Sequence, residues 1–569
     1  MKLNFRFLLK AGLLTGVALF YMSMVGMIEL FNKREIINDT IAFGQILVAV
    51  PSLIGGYMVS RRYAEEHSTG TTVLSSIIVG FISSLPTVLI ILVGANTNIR
   101  DMFVSVTPNL LEILTFGQEN ITTGILILIG LLTFMGLLGA LLELLPQRLR
   151  RALVSASAWT LGVGLMSELL NQILQQFRDY DWIERDTIRL ILSSGVITRN
   201  FAIFVFVAAF AAYFLWPVLS TPIKTNIEKG GPTAQRNVRY TSYALLTILF
   251  LALPWLVGRF LSDVLVTIGL YIVMGLGLNI AVGMAGLLDL GYLTNFAVGA
   301  YITGFLLSTG PLGIQARTGI TVFNLWLLIP ISIVAAMITG FVFALPVLRM
   351  RGDYLAIATL GFGEIIGKLA LSDWLKPYIG GAQGILFIPK PTFFGIELSN
   401  PEQLYYLSFA AVLFMLYVTT RLQNSRTGRQ WMAIREDEDV AAAMGIDNTQ
   451  AKVIAFTLSA AAGGLAGAIF ATKVGTVFPN SFTIIVSINV LSLIIVGGMG
   501  SIPGVVVGAA VLIGMPELLR EFAEFRFLIY GALLIVMMLT RPEGLWPSEV
   551  TRRELAVDED NPPIAAATD

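Results

Sequence analysis

The chain has 569 residues, 56% hydrophobic and 13% charged, with 37 basic against 37 acidic side chains. Soluble domains carry about a quarter of their residues as charge, so this composition specifies a polytopic membrane protein, an all-α bundle of helices. Zero net charge argues against a nucleic-acid partner, and zero cysteines exclude disulfides, thiol catalysis and thiolate metal sites. The single histidine, His67, leaves no His-based zinc site and no Ser-His-Asp triad, and it reads as a solvated loop residue.

Lys2, Arg6 and Lys10 precede an apolar run to Leu30 that is too long for a signal-peptide core and lacks a small-residue cleavage site. It reads as an uncleaved first span. A span needs about 20 apolar residues, and on that measure the chain offers roughly sixteen. Six lie in residues 1–218, near 8–31, 41–60, 72–94, 121–145, 152–174 and 197–217. The fifth contains Glu168, Asn171 and Gln172 and is amphipathic enough to lie in the interface instead of crossing. Arg178–Arg199 reads as a plain external loop, with a contact surface for a soluble partner as the alternative. The segment 219–240 holds Pro222, Gly230-Gly231-Pro232, Lys224, Lys229, Arg236 and Arg239, and is the one obvious linker.

Ten spans follow in 241–548, near 241–258, 263–286, 288–307, 324–348, 355–372, 404–421, 453–473, 482–498, 502–518 and 524–540. Glycines within them let helix backbones approach closely, as in Gly463-Gly464-Leu-Ala-Gly467 and Gly504-Val-Val-Val-Gly508. Gly283–Gly291 and Gly497–Gly504 instead interrupt apolar runs, which permits broken helices whose freed amides and carbonyls face a cavity. Such ends suit a zwitterion, with its carboxylate at a helix amino terminus and its ammonium at carbonyls. Asn279, Gly283, Gly286, Gly291, Tyr292, Glu364, Gly497, Gly498 and Gly500 are therefore candidates to line a translocation pathway. The plainer alternative is packing glycines, a buried amide as interhelical glue and, for Glu364, an acid bonded to neighbouring helices.

Between the spans near 404–421 and 453–473 lies a charged island, Arg421–Lys452. Arg421, Arg426, Arg429, Arg435, Glu436, Asp437, Glu438, Asp439, Asp447 and Lys452 all carry charge there. At roughly 2.5 to 3.5 kcal/mol per charge at a helix centre, the island lies outside the bilayer. Asp437 to Met444 forms about two helical turns with an acidic amino end, favoured by the helix dipole, and Gly445 stops it. The segment is either an ordinary solvated loop or a short helix presented to a soluble partner. If it is cytoplasmic, ten spans place the linker and carboxyl tail inside. Arg61, Arg62, Arg148, Arg150, Arg151 and the amino terminus then also fall inside, with Arg178, Arg185, Arg189 and Arg199 outside; if the fifth segment does not cross, the amino terminus falls outside instead. The acidic tail 549–569 reads as disordered.

Several phrases occur in fixed order. They are Leu276-Gly-Leu-Asn279, Gly283-Met-Ala-Gly286-Leu-Leu-Asp289-Leu-Gly291-Tyr292, Arg351-Gly-Asp-Tyr354 through Gly361-Phe-Gly363-Glu364, Gly380-Gly-Ala-Gln-Gly384, the island, Gly497-Gly-Met-Gly500-Ser-Ile-Pro-Gly504 and Arg541-Pro-Glu-Gly-Leu-Trp546. Together they resemble the LivM-type permease of bacterial branched-chain amino-acid ABC importers over about residues 245–548, while the first 235 residues resemble no recognised family. The resemblance implies a ten-helix importer core behind about six extra spans, in a bacterial plasma membrane. It implies a second homologous permease as heterodimer partner, two cytoplasmic ATPase subunits that use ATP, and an extracytoplasmic substrate-binding protein. It also gives Gly428, Ala433, Ile434, Arg435, Asp437, Ala441, Ala442, Met444 and Gly445 as the loop that couples to the ATPase. The chain has no Walker A sequence of its own, since Gly367-Lys368 lacks the glycine spacing and is followed by Leu369, so it reads as neither an enzyme nor a cofactor binder. A urea/amide or sugar permease stays open within the class. A proton-coupled secondary transporter using Glu364 stays open outside it.

Overall fold

The computed structural model describes residues 4–38, 40–64, 68–97, 103–229, 231–319, 324–347, 350, 352–518 and 526–548. His67, Arg349, Arg351 and the tail 549–569 lie outside them. The chain divides into two compact units, Met1–Thr247 and Ile248–Asp569. The expected linker 219–240 is helical wherever it is described, and the division falls seven residues beyond it, within a helix.

In the first unit, α1 (Phe5–Met24), α3 (Phe43–Ala64), α4 (Thr69–Asn96) and α6 (Ile121–Leu144) form a bundle. Short α2 (Met27–Asn32) and α5 (Pro108–Leu114) lie on its connections. Lipid is as apolar as leucine, so burial alone does not drive such helices together. Small residues and hydroxyls do it here: Ser52 donates to the carbonyl of Leu132 at 2.6 Å, Ser83 donates to Ser52 at 3.1 Å, and the Ser60 and Ser76 hydroxyls lie 2.6 Å apart. Gly80 and Gly136 bring the backbones of α4 and α6 into direct contact.

The fifth candidate span is neither simply crossing nor simply interfacial. It is α7 (Gln147–Leu165) followed by α8 (Ser167–Asp179), bent by 66° at Met166. Weakly polar α7 packs along α10 (Arg199–Lys229), and strongly amphipathic α8 turns away carrying Glu168, Asn171 and Gln172. The expected external loop is also folded. Within it α9 (Arg185–Ile191) leads into β3 (Leu192–Ser193) and β4 (Val196–Ile197), joined by Ser194 and Gly195 with φ +53° and +84°. Two positive φ values match the twist of a tight hairpin, which composition alone does not announce. This hairpin completes a small sheet ordered β2-β1-β4-β3 with β1 (Glu35–Ile37) and β2 (Ile41–Ala42).

The second unit opens within α11 (Gly231–Asn279), two helices that meet at a kink at Gly258, whose φ of +83° and ψ of −180° are not helical, so the spans expected near 241–258 and 263–286 part there. A π-helical turn, Ile280–Met284, follows. Next come α12 (Leu293–Leu307), α13 (Ile314–Thr318), α14 (Leu325–Val347), α15 (Asp353–Leu371) and α16 (Lys376–Ile379). A hairpin of β5 (Thr392–Phe393) and β6 (Ile396–Glu397) precedes α17 (Pro401–Gln423), α18 (Arg426–Glu436), α19 (Glu438–Ala443) and α20 (Asn448–Val474). The unit ends with α21 (Ile484–Gly497), α22 (Ile502–Ala509), a π-helical turn at Ala510–Gly514, α23 (Met515–Leu518) and α24 (Arg526–Thr540). Its core is α20 wedged between α12 and α14. Methyl groups on Gly463 and Gly464 would lie 2.9 Å from Asn295 Cβ and 2.6 Å from the Ser332 carbonyl, so only glycine permits this approach.

Among the described residues, 11 helices are long and apolar enough to cross a membrane, or 12 if α7 and α8 form one bent span. The difference from roughly sixteen arises at Thr247–Met284, which enters that total once although it is kinked at Gly258, and in short helices such as α12 and α22–α23, which bundle neighbours cover. The protein is an integral membrane helical bundle.

A leucine at Gly136, where even a methyl would meet the Ser76 carbonyl at 2.5 Å, should destabilise the first unit by about 1–3 kcal/mol. Gly130→Leu on the same helix, where nothing lies within 4 Å, should not. Thermal unfolding midpoints of the two variants in detergent check the difference.

Candidate functional site

The charged island is two helices, not a loop with one. Ser425 caps α18 by accepting from the Gly428 amide at 3.1 Å. Trp431, fully buried, anchors α18 by donating its indole N–H to the carbonyl of Ala451 at 2.8 Å. Asp437 is extended and begins α19, its Oδ1 accepting from the amides of Asp439 and Val440, both at 2.9 Å. At the other end Gly445 takes φ +87°, the Gly445 amide reaches the Ala442 carbonyl at 3.0 Å, and the Ile446 amide reaches Ala441 at 3.1 Å. This is the Schellman geometry that a left-handed glycine permits.

Burial sorts the loop residues into scaffold and surface. Gly428, Ile434 and Ala441 are buried and Ala433 is half-buried, so they hold the loop together. Ala442, Met444 and Gly445 are exposed and Met444 is 79% exposed; Val440, one helical turn before it, is 58% exposed. Sequence reasoning passed over Val440, although an apolar pair at i and i+4 in a charged segment was the available signal. It also counted Lys452 among the solvated charges. Lys452 is buried, and its ammonium contacts Glu438 Oε1 at 2.6 Å, tying the first residue of α19 to the first turn of α20. Asn448 adds a hydrogen bond to the Glu438 carbonyl at 2.7 Å.

The glycine turns meet this loop from the membrane side. Asn279 ends α11, buried, and its Oδ1 accepts from the Gly500 amide at 3.0 Å across 221 residues of sequence. The π-helical turn leaves the Gly283 carbonyl pointing at Arg435, whose Nη1 donates to it at 2.6 Å. Gly286 has φ +71° and packs on the stem of Arg435, where a methyl would meet Cγ at 3.2 Å. Gly500, with φ +77°, presents its carbonyl to Gln423 Nε2 at 3.3 Å, and a methyl there would meet Arg435 Nη1 at 3.1 Å. Asn279, Gly283, Gly286, Gly500 and Arg435 thus form one node. The expected freed carbonyl is present, and a side chain takes it instead of an open cavity.

The remaining candidates lie elsewhere. Gly497 accepts from the Trp546 amide at 2.9 Å, and Gly498 packs against the Trp546 carbonyl, so both serve the closing Arg541–Trp546 segment. Gly291 abuts the Thr359 backbone, and Leu290 donates to the Thr359 hydroxyl at 3.0 Å. Tyr292 is fully buried, with its hydroxyl beside Gly277 on α11. For Glu364 it is the plainer reading, an acid bonded to neighbouring helices, that the structure does not meet. The residue lies not against neighbouring helices but on an exposed face of α15 with Tyr354, Ile357, Ile365 and Lys368, where a Cβ on Gly361 would meet nothing within 4 Å. The span Tyr354–Leu371 is 22% buried, against 67% for Asn448–Val474.

The family described as "Branched-chain amino acid transport system / permease component" matches residues 260–539. The high-affinity branched-chain amino acid transport permease LivM of Escherichia coli K12 is 39% identical over 333 residues, covering 54% of this chain and 75% of that protein. The chain belongs to this permease family. A probable LivM permease of Methanocaldococcus jannaschii is 24% identical over 51% of this chain and 94% of its own length. The LivH permease of E. coli K12 is 23% identical over 49% and 92%. No solved structure matches. The family range lies within the second unit.

In the turn between Met284 and Leu293, Asp289 is buried and accepts from the Gly291 amide at 3.0 Å. Burial pushes its carboxyl up to about 7, against the lowering effect of that hydrogen bond. An acid with a raised folded pKa contributes stability that is fully present below its unfolded value near 4 and lost as pH rises through about 7. Asp289→Asn, which keeps the acceptor, should flatten the fall in thermal midpoint between pH 4 and 8. An unchanged slope would exclude Asp289 as its source.

Proposed function

We propose that the second unit is one half of the membrane pathway of an ATP-driven importer of branched-chain amino acids, and that α19 is its handle for a cytoplasmic ATPase. The observation that carries this reading is α19 itself. It is a six-residue helix capped at both ends and tied to α20 by Lys452–Glu438, and it offers Val440 and Met444 outward in the middle of a charged loop. Exposed apolar residues held on a rigid base suit a groove on a protein partner better than they suit water. The named substrates of the LivM and LivH relatives support branched-chain amino acids as cargo.

In this reading two cytoplasmic ATPase subunits bind and hydrolyse ATP, a second homologous permease completes the pathway as a heterodimer, and an extracytoplasmic binding protein delivers substrate. This chain binds no cofactor and forms no covalent intermediate. The carboxyl terminus, the 219–240 segment and α19 lie on the cytoplasmic side, as the arginine and lysine distribution favours. The membrane is the bacterial plasma membrane.

Glu364 fits the same reading. An acid and a lysine four residues on, both exposed within a membrane span, are costly against lipid tails, so this face of α15 lies toward the aqueous pathway.

Met444→Glu and Val440→Glu, made on exposed positions that leave the core intact, should strip the ATPases from the purified transporter and abolish ATP-dependent uptake in proteoliposomes. Retained ATPases with full uptake would refute the handle. The cysteine-free sequence allows a second test, in which Glu364→Cys is treated with a membrane-impermeant thiol reagent. Labelling at Glu364→Cys, with Ile338→Cys on the exposed face of α14 unlabelled, is expected; equal protection of both would place Glu364 away from the pathway.

A further inference from the structure

The loop that carries α19 is built in two parts, and they face opposite ways. Val440 and Met444 point outward, while Arg435, in the last turn of α18 and two residues before the Asp437 cap, reaches back into the permease. Its guanidinium donates to Gly283 O at 2.6 Å, inside the π-helical turn that ends α11, and its stem covers Gly286. Gly500, in the turn between α21 and α22, closes the other side. It is held to Asn279 of α11 through its amide and to Gln423 of α17 through its carbonyl.

A π-helical turn is a local defect in the helix ladder, and a buried carbonyl left unpaired costs about 1–3 kcal/mol. The Gly283 carbonyl therefore follows whatever donor satisfies it, so the position of α18 and the conformation of the turn are not independent. α18 is joined to α19 through the single extended residue Asp437, which makes a shift of the handle a shift of Arg435.

We propose that Arg435 is a positioning residue that transmits movement of α19 to the broken end of α11 and to the Gly500 turn, rather than a residue of the surface that docks on the ATPase. The inference rests on the reading of α19 as the ATPase handle. It deepens that reading by giving the route from the handle to the membrane helices: Arg435 to the Gly283 carbonyl, and through Asn279 and Gly500 to α21 and α22. A guanidinium suits this task because it stays charged and planar while it holds the Gly283 carbonyl and packs beside Gly500.

The test uses the assembled transporter, with its second permease and ATPases, in proteoliposomes supplied with binding protein and leucine. Arg435→Gln should keep the ATPases in the purified complex and keep ATP hydrolysis, while amino acid imported per ATP falls about tenfold, a typical coupling loss. Arg435→Lys, which retains one charged donor, should recover part of that ratio. If Arg435→Gln does not fold, as judged by its thermal midpoint, Arg435→Lys carries the comparison, with an intermediate ratio expected. Loss of ATPases from the Arg435→Gln complex would make Arg435 part of the docking surface and overturn the relay while leaving the handle intact. An unchanged import-to-ATP ratio would also overturn it. Failure of the unaltered chain to retain ATPases would remove the handle reading and the relay together.

Discussion

A carbonyl freed where a helix breaks must find another donor, and in each unit an arginine supplies one at such a break. In the first unit the break at Met166 leaves the Leu165 carbonyl at the end of α7, and Arg34 donates to it through Nη2 at 2.6 Å. In the second unit the break after α11 leaves the Gly283 carbonyl, and Arg435 donates to it at the same distance. In each case an arginine from a polar connection folds back onto a helix end. The bond fixes the bend and also fixes the connection, because a guanidinium committed to one carbonyl restrains the backbone that carries it. The cost of an unpaired group in lipid thus turns surface loops into parts of the membrane structure.

This explains which features were legible in the residues. Apolar length gave α6 and α14 nearly to the residue and α3, α4 and α17 to within about a turn, because lipid exposure is a one-dimensional demand on composition, whereas the first span, expected at 8–31, ends at Met24. The helix α19 was equally plain, since an aspartate cap, a run of small residues and a glycine stop act within one short segment. The α7–α8 bend was half visible. Glu168, Asn171 and Gln172 showed that the segment could not cross throughout, but the position of the bend depends on Met166 and on Arg34, 131 residues from its acceptor. The hairpin at Ser194-Gly195 and the pairing of β1 with β4 depend on similar distant neighbours.

At the site, residue types were recognisable but their partners were not. Asn279 reads as glue or as pathway from sequence alone, and only the fold brings Gly500 to its side chain. Lys452 looks like a solvated cation until Glu438, fourteen residues away, returns to it across the α19 turn. Glu364 illustrates the reverse. Its depth in the span allowed either a pathway acid or a buried bond, since direction around a helix is set by packing, and α15 packs too little to cover it. Glycine gave the least specific signal, because the same residue serves close packing at Gly464, a left-handed turn at Gly445 and a carbonyl acceptor at Gly283.

The uneven packing of the second unit constrains how force from α19 can act. Direct support for α19 comes from α20, through Lys452–Glu438 and through Trp431, which ties α18 to Ala451. α20 is in turn fixed against α12 and α14 by backbone contacts at Gly463, Gly464 and Gly467 that leave no room for a methyl group. Close-packed interfaces of this kind move as bodies and do not deform continuously. A push on α19 therefore meets resistance along α20 and finds compliance where the helical ladder is already interrupted, at Ile280–Met284 and at the glycine turn before α22. Both interruptions converge on Arg435. If α19 is the handle proposed above, that convergence lets a small displacement of it reach α11, α21 and α22 without first loosening the packed core.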